Sequence, residues 1–325
     1  MDPITRQVAL ASAGAKSIEV EDVFSAFTYT GNATVRNINN GIDLSGEGGL
    51  VWIKDRDQGF DHQLFDTERG ANKRLNSDSC NAELTYSTTA LSAFNSDGFA
   101  LGSGNSFVNR NNDEYISWTF RNAPKFFDVV TYTGNGTGQT ISHNLGSVPG
   151  MIFIKHLGTN CWRAYHSATG NGSYLVLNST NAKANDFDTW FETSPTSTNF
   201  SVGSRAEVNG SGTFVAYLFA NDEDFIKCGS YTGTGSNIDI DCGFTNGAQF
   251  VMIKQTNVGR NWFVFDTARG ITTGNEPNLL WDTNSSETTT QDLVDPLSTG
   301  FRVRPGILGT NENGGEYMYM AIAAP

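Results

Sequence analysis

Basic residues are scarce in this chain. Lys and Arg total 21 against 34 Asp and Glu, a net charge of −13. Binding to a nucleic-acid backbone needs a basic face, so this balance argues against such a partner, and it equally disfavours adhesion to an anionic membrane. Long apolar runs are missing too: none approaches the ~20 residues of a spanning helix, so no membrane insertion is expected. The opening "MDPITRQVALASAGAK" places an acid before its first base and holds no continuous apolar stretch, so it does not read as a secretory leader. Cysteine is sparse: Cys80, Cys161, Cys228 and Cys242 show no C-x-x-C spacing and no neighbouring histidine pair. They are expected to be reduced, buried small hydrophobes, with a Cys228–Cys242 bridge as the alternative. His62, His143, His156 and His166 lack ligand spacing, and "NDED" (221–224) and "DID" (239–241) lack the alternating oxygens and glycine of a calcium loop. There is no G-x-S-x-G, no P-loop and no dinucleotide fingerprint. No metal, no cofactor and no catalytic residue are therefore expected.

What the chain has in quantity is glycine (35 residues), phenylalanine (22) and many Asn, Ser and Thr. This is the composition of short strands joined by tight turns, where Gly and Asn supply positive φ and Ser, Thr and Asp cap locally. The turns recur. "FDTERG" (65–70), "YHSATG" (165–170) and "FDTARG" (265–270) share a frame with four other landmarks. These are "YTGNA" (29–33), "YTGNG" (132–136) and "YTGTG" (231–235); "LVWIK" (50–54), "MIFIK" (151–155) and "FVMIK" (250–254); "SDGF" (96–99), "STNF" (197–200) and "STGF" (298–301); and "YISWTF" (115–120), "FVAYLF" (214–219) and "YMYMAI" (317–322). Constant order across five landmarks defines tandem units of about 100 residues.

Apolar runs of four to seven residues, rich in Val, Ile, Phe and Tyr, make each unit all-β. The expected fold is three tandem β-sandwich units of jelly-roll or lectin-like type, at 26–122, 126–222 and 226–325, after an N-terminal arm at 1–25. Each unit is expected to own its core. The arm reads as a short helix from Thr5 to about Ala15 that needs a partner surface, or else as a frayed terminus.

The repeated phrase has a structural explanation. Asp66 and Asp266 begin turns, Gly70, Gly170 and Gly270 take positive φ, and Arg69 and Arg269 fold back on the carboxylates. The middle copy, from His166 to Gly170, drops both charges, which a catalytic pair would not. Lys54, Lys155 and Lys254 close the same strand in each unit and are expected to be solvated strand ends, or contacts to a neighbouring unit or protomer. Five tryptophans fall at positions that are bulky and apolar in other copies. Trp190 has no counterpart. With Phe191, Asp188 and Glu192 it forms a candidate ligand-binding loop in which an aromatic ring stacks on sugar and acids hydrogen-bond it; the competing reading makes Trp190 a plug at a junction between units.

The series "YTGNG", "HNLG" (143–146), "MIFIK" and "FVAYLFA" (214–220) resembles a repeat of virion proteins from marine and environmental tailed phages, described as tail-fibre or lectin-like structural proteins. The opening "VEDVFSAFTYTGNATVRNINNGIDLSGEGGLVWIK" (20–54) is similar to their N-terminal segment, and Gly31, Gly134, Gly233 and the three lysines match the repeat. The resemblance covers nearly the whole chain and carries over no catalytic or binding residue. Departures are the uncharged middle turn and an insertion at 284–297 in the third unit. What it implies is a non-enzymatic virion protein assembled in the host cytoplasm, a tail-fibre-like component contributing to host attachment. A capsid-decorating or connector role is the alternative, and a glycan-cleaving fibre using Asp186, Asp188 or Glu192 a lesser one. The implied partners are a second and third copy in a homotrimer, other virion proteins through the arm, and a host-surface glycan.

Overall fold

The computed structural model describes residues 18–86, 89–222, 224–305 and 309–325. The helix expected from Thr5 to Ala15 lies outside the described residues. The protein is all-β, and the helices described are single turns: α1 (Val20–Val23), α2 (Leu44–Glu47) and α3 (Ala206–Asn209). The first sheet runs β1 (Phe24–Thr30), β2 (Gly49–Asp55), β3 (Gln63–Asp66) and β4 (Glu114–Arg121) in the spatial order β1-β4-β2-β3, all antiparallel. The second, of β5 (Phe127–Gly134), β6 (Pro149–His156), β7 (Arg163–His166) and β8 (Gly212–Ala220), and the third, of β9 (Ile226–Thr232), β10 (Ala248–Gln255), β11 (Trp262–Asp266) and β12 (Glu316–Ala323), repeat that order; Leu279–Leu280 adds a fifth strand to the third. Each sheet is backed by a smaller outer one, such as Arg36–Asn39, Gly98–Leu101 and Leu91–Asn95 in the first unit.

Strand alternation explains how the units join. Successive side chains point to opposite faces. Along β2, Val51 and Ile53 pack on the outer sheet of their own unit with Phe65 and Phe99, while Leu50 and Trp52 face the other way. In β10, Val251 and Ile253 are outward and Phe250 and Met252 inward. The inward faces of all three sheets meet in one cluster that holds Trp52, Trp118, Phe153, Tyr217, Phe250 and Trp281. Trp281 of the third unit stacks on Trp52 of the first at 4.2 Å, and Phe153 of the second meets Trp281 edge-on at 5.9 Å. The first and third units each keep a core of their own between their two sheets, and beside it all three units share this central one, so the expectation of one core per unit is incomplete. The middle strands are buried on both faces, which is why "LVWIK" and its copies read as unbroken apolar runs rather than alternating ones.

Two further expectations are corrected. Cys80 and Cys161 are joined by a disulfide that links the first unit to the second, whereas Cys228 and Cys242 are the free, buried pair. The residues at 284–297 are only partly an insertion: Val294–Leu297 pairs with Gly300–Val303 as Leu91–Asn95 pairs with Gly98–Leu101. The middle unit is the one that departs, with a two-stranded outer sheet of Gln139–Ser142 and Asn199–Val202.

Candidate functional site

The repeated phrase sits where β3, β7 and β11 end. Asp66 Oδ1 accepts the Arg69 amide at 2.9 Å and Oδ2 accepts Arg69 Nε at 2.5 Å. Gly70 follows at φ +104°, Gly170 at +71° and Gly270 at +114°, a region that costs an L-residue but not glycine. Arg69 also reaches Leu64 O at 3.1 Å and Glu83 at 3.1 Å. Burial alone would lower the Arg69 pKa, but Asp66, Tyr217 and Glu83 outweigh it and hold the guanidinium above its ordinary value. Asp266 and Arg269 repeat the pattern, with Nε at 2.7 Å, Val264 O at 3.0 Å and Glu287 at 3.2 Å.

Each turn also reaches into another unit. Tyr217 Oη of β8 donates to Asp66 Oδ2 at 2.7 Å, and Trp118 Nε1 of β4 donates to Asp266 Oδ2 at 2.9 Å. The residue matching Trp118 and Tyr217 in β12 is Met320, whose thioether has no proton to give. A carboxylate opposite it would be buried without that donor. The chain places His166 there, and its Nε2 donates instead to the backbone carbonyl of Tyr319 at 3.1 Å while Nδ1 accepts the Ala168 amide at 3.1 Å. The missing charges of the middle copy thus follow from what faces it.

These contacts close a ring: the first unit's turn meets the second unit, the second's meets the third, and the third's meets the first. A backbone ring runs in parallel, from Glu83 N to Leu157 O, Lys183 N to Thr256 O and Glu287 N to Arg56 O, each at 2.8 Å. A further ring runs through the starts of β3, β7 and β11. His62 donates to Leu280 O at 3.0 Å after accepting Trp52 Nε1 at 2.9 Å, Trp162 Nε1 donates to Asn76 O at 2.8 Å, and Trp262 Nε1 donates to Val176 O at 3.3 Å.

The three lysines are fully buried, not solvated strand ends. Lys54 donates to the carbonyls of Asp55 and Gln58, Lys155 to those of His156 and Gly158, and Lys254 to those of Arg260 and of Thr180 in the second unit. Burial pulls each ammonium down to about 8. Each one ties the turn that follows its strand, so the alternative of a contact to a neighbouring unit holds for Lys254.

His166 is fully buried, and that burial lowers its pKa to about 4 against the opposing hydrogen bond to Tyr319. Unfolded, the same ring protonates near 6.5. Between those values the unfolded chain binds a proton that the folded chain refuses, so stability is complete above about pH 6.5 and is lost as pH falls toward 4. His166→Gln removes this titration. Denaturant unfolding from pH 7 to 4 should show the parent losing more stability than the variant, by up to roughly 3 kcal/mol; equal losses would contradict the assignment.

Trp190 is 2% exposed, with its indole N–H on Ser173 O at 2.9 Å and its ring edge-on to Tyr165 at 5.6 Å. These partners belong to its own unit, so it fills the middle unit rather than a junction, and no sugar can stack on it. Phe191, at φ +51°, and Glu192, at φ +47°, turn outward beyond it, with Phe191 53% exposed. Asp188 accepts the amide and hydroxyl of Ser204 at 3.1 and 2.5 Å. Burial pushes the Asp186 carboxyl up, but its bonds to Arg205 and neighbours outweigh this and hold it below its ordinary value, which suits a proton donor poorly. The structure thus keeps Phe191, Asp188 and Glu192 at the surface and takes Trp190 away from them.

Among the described residues, no cluster of three or more His, Cys, Asp or Glu could hold a metal, and no helix is long and apolar enough to cross a membrane. The domain of unknown function designated DUF7483 matches residues 19–325. The chain belongs to that family. No curated protein matches it. The whole ring, from α1 to the end of β12, falls inside the DUF7483 match. The repeated Asp-Arg turns, the buried lysines and the tryptophan ring therefore lie within the DUF7483 domain rather than in an appended segment.

Proposed function

We propose that the chain is a non-enzymatic structural component of a phage particle, fibre-like, that presents a rigid head to a host surface. The observation that carries this reading is the commitment of the repeated charged residues to inter-unit bonds. Asp66, Arg69, Asp266 and Arg269 are each satisfied by a partner across or beside the ring, and a buried polar group so engaged specifies structure rather than awaiting substrate. The resemblance of the repeat to virion proteins supplies the setting. The homotrimer expected from the sequence is proposed in a narrower form. The inward faces of all three sheets are already used inside one chain, so self-association would run through the N-terminal arm at 1–25, which would also be the piece that meets other virion proteins. A disulfide between units suits a particle that leaves the reducing host cytoplasm after assembly. Mass spectrometry of purified particles tests the proposal: the chain should be present in stoichiometric copies, and its absence would defeat the reading.

A further inference from the structure

The three units share a scaffold, so a surface that differs in one copy needs a reason outside the scaffold. Asn109, Asn209 and Asn311 mark equivalent positions, since each side-chain amide donates to two carbonyls across its own loop. Two residues earlier stand Phe107, Glu207 and Gly309. In the first unit the place beside this position is filled: the Arg74 guanidinium lies between the rings of Tyr86 and Phe107, at 4.7 and 4.9 Å, and bonds Gln63. In the third it is closed by the Phe263 ring lying against Gly309. In the second it is open.

There Arg163 lies over the Tyr174 ring at 4.6 Å and donates to Glu207 at 2.5 Å. This trio forms the wall shared by two adjoining grooves, of about 540 and 260 Å³. Asn181 lines the larger groove and Asn185 the smaller. Neither side-chain amide, nor the Tyr174 hydroxyl, hydrogen-bonds a protein group among the described residues, although the Asn181 backbone amide donates to Ser179 Oγ at 3.1 Å. Beyond Asn185 and Asp186, the Phe187 ring is 61% exposed and lies over Gly172, two residues before Tyr174.

The charges along this surface are paired, Arg163 with Glu207 and Arg205 with Asp186 at 2.7 Å. Paired charges leave little net field to select an ion. What remains on offer is the exposed Phe187 ring, together with the Tyr174 hydroxyl and the two asparagine side chains, groups free to both donate and accept. A pyranose ring has an apolar face and a rim of hydroxyls that both donate and accept, which matches that set. We propose that the grooves around Arg163, Tyr174 and Glu207, extended to Phe187, are a binding site for a neutral oligosaccharide. The site rests on the proposed host-surface contact and gives it a location on the middle unit, away from the buried Trp190.

The test is a printed array of neutral tri- to hexasaccharides of glucose, galactose, mannose and N-acetylglucosamine, alongside sialylated and sulfated counterparts. The strongest neutral binder is then titrated calorimetrically into the full chain, Tyr174→Ala and Phe187→Ala. Neutral saccharides should bind, and each substitution should weaken binding about three- to tenfold. Phe187 is largely exposed, so its variant should keep the parent's melting temperature. The site is refuted by an array on which nothing neutral binds, by binding confined to the acidic members, or by affinity unchanged in both variants. These outcomes are independent of particle composition. A chain found in particles but blind to saccharides loses the site and keeps the virion reading; a chain that binds saccharides through this groove but is absent from particles does the reverse.

Discussion

Trp52→Ala is expected to destabilise the whole chain by about 3–5 kcal/mol, and to loosen all three sheets rather than the first alone. The indole is fully buried, stacks on Trp281, meets Trp118 edge-on at 6.2 Å and donates to His62. Its loss opens a cavity bounded by residues of the first and third units and leaves the His62 acceptor without its donor. Because His62 in turn holds Leu280 O, the disturbance reaches the third unit through a hydrogen bond as well as through packing. Hydrogen exchange reads the outcome: protection should fall in β8 and β12 as well as in β4. A loss confined to residues 24–121 would mean that the first unit stands by itself.

Asp266→Ala should cost a comparable amount, about 3–5 kcal/mol, for an electrostatic reason. Arg269 is fully buried at its side chain, and without Asp266 it keeps Glu287, a carbonyl and the face of the Trp118 ring at 5.5 Å, none of which replaces the lost carboxylate. Removing one member of a buried pair strands the other, whereas Trp118→Phe removes only the neutral donor and should cost nearer 1 kcal/mol plus a packing term. A double-mutant cycle between the two isolates the bond between the third unit and the first, with an expected coupling of about 0.5–3 kcal/mol. Additive effects would show that Trp118 and Asp266 do not interact across the ring.

The repeat, the strand positions and the Asp-Arg-Gly turns were legible in the sequence because they rest on local rules: alternation, glycine at positive φ, a carboxylate accepting a nearby amide. What joins the units was not. "LVWIK" reads the same whether its second face meets an outer sheet or a neighbouring unit, since both are dry. Lys54, Lys155 and Lys254 were misread because long basic side chains usually extend to water, and nothing in the sequence shows the carbonyls that receive these three. The Cys80–Cys161 bridge joins positions that are not equivalent in the repeat, so no copy repeats its spacing. Trp190 was the conspicuous exception to the repeat, yet its singularity reflects a missing outer strand in the middle unit rather than exposure. One signal was available and unread: Trp118 and Tyr217 carry a donor where Met320 does not, and the Asp-Arg charges vanish only in the turn facing Met320.

The central claim is that the three repeats form a single cooperative body closed on itself. Scanning calorimetry of the intact chain tests it most directly, by comparing the heat absorbed with the enthalpy implied by the sharpness of the transition. One body predicts a single transition with a ratio of about 1. Three resolved transitions, or a ratio of about 3, would show that the units melt independently and would contradict the account.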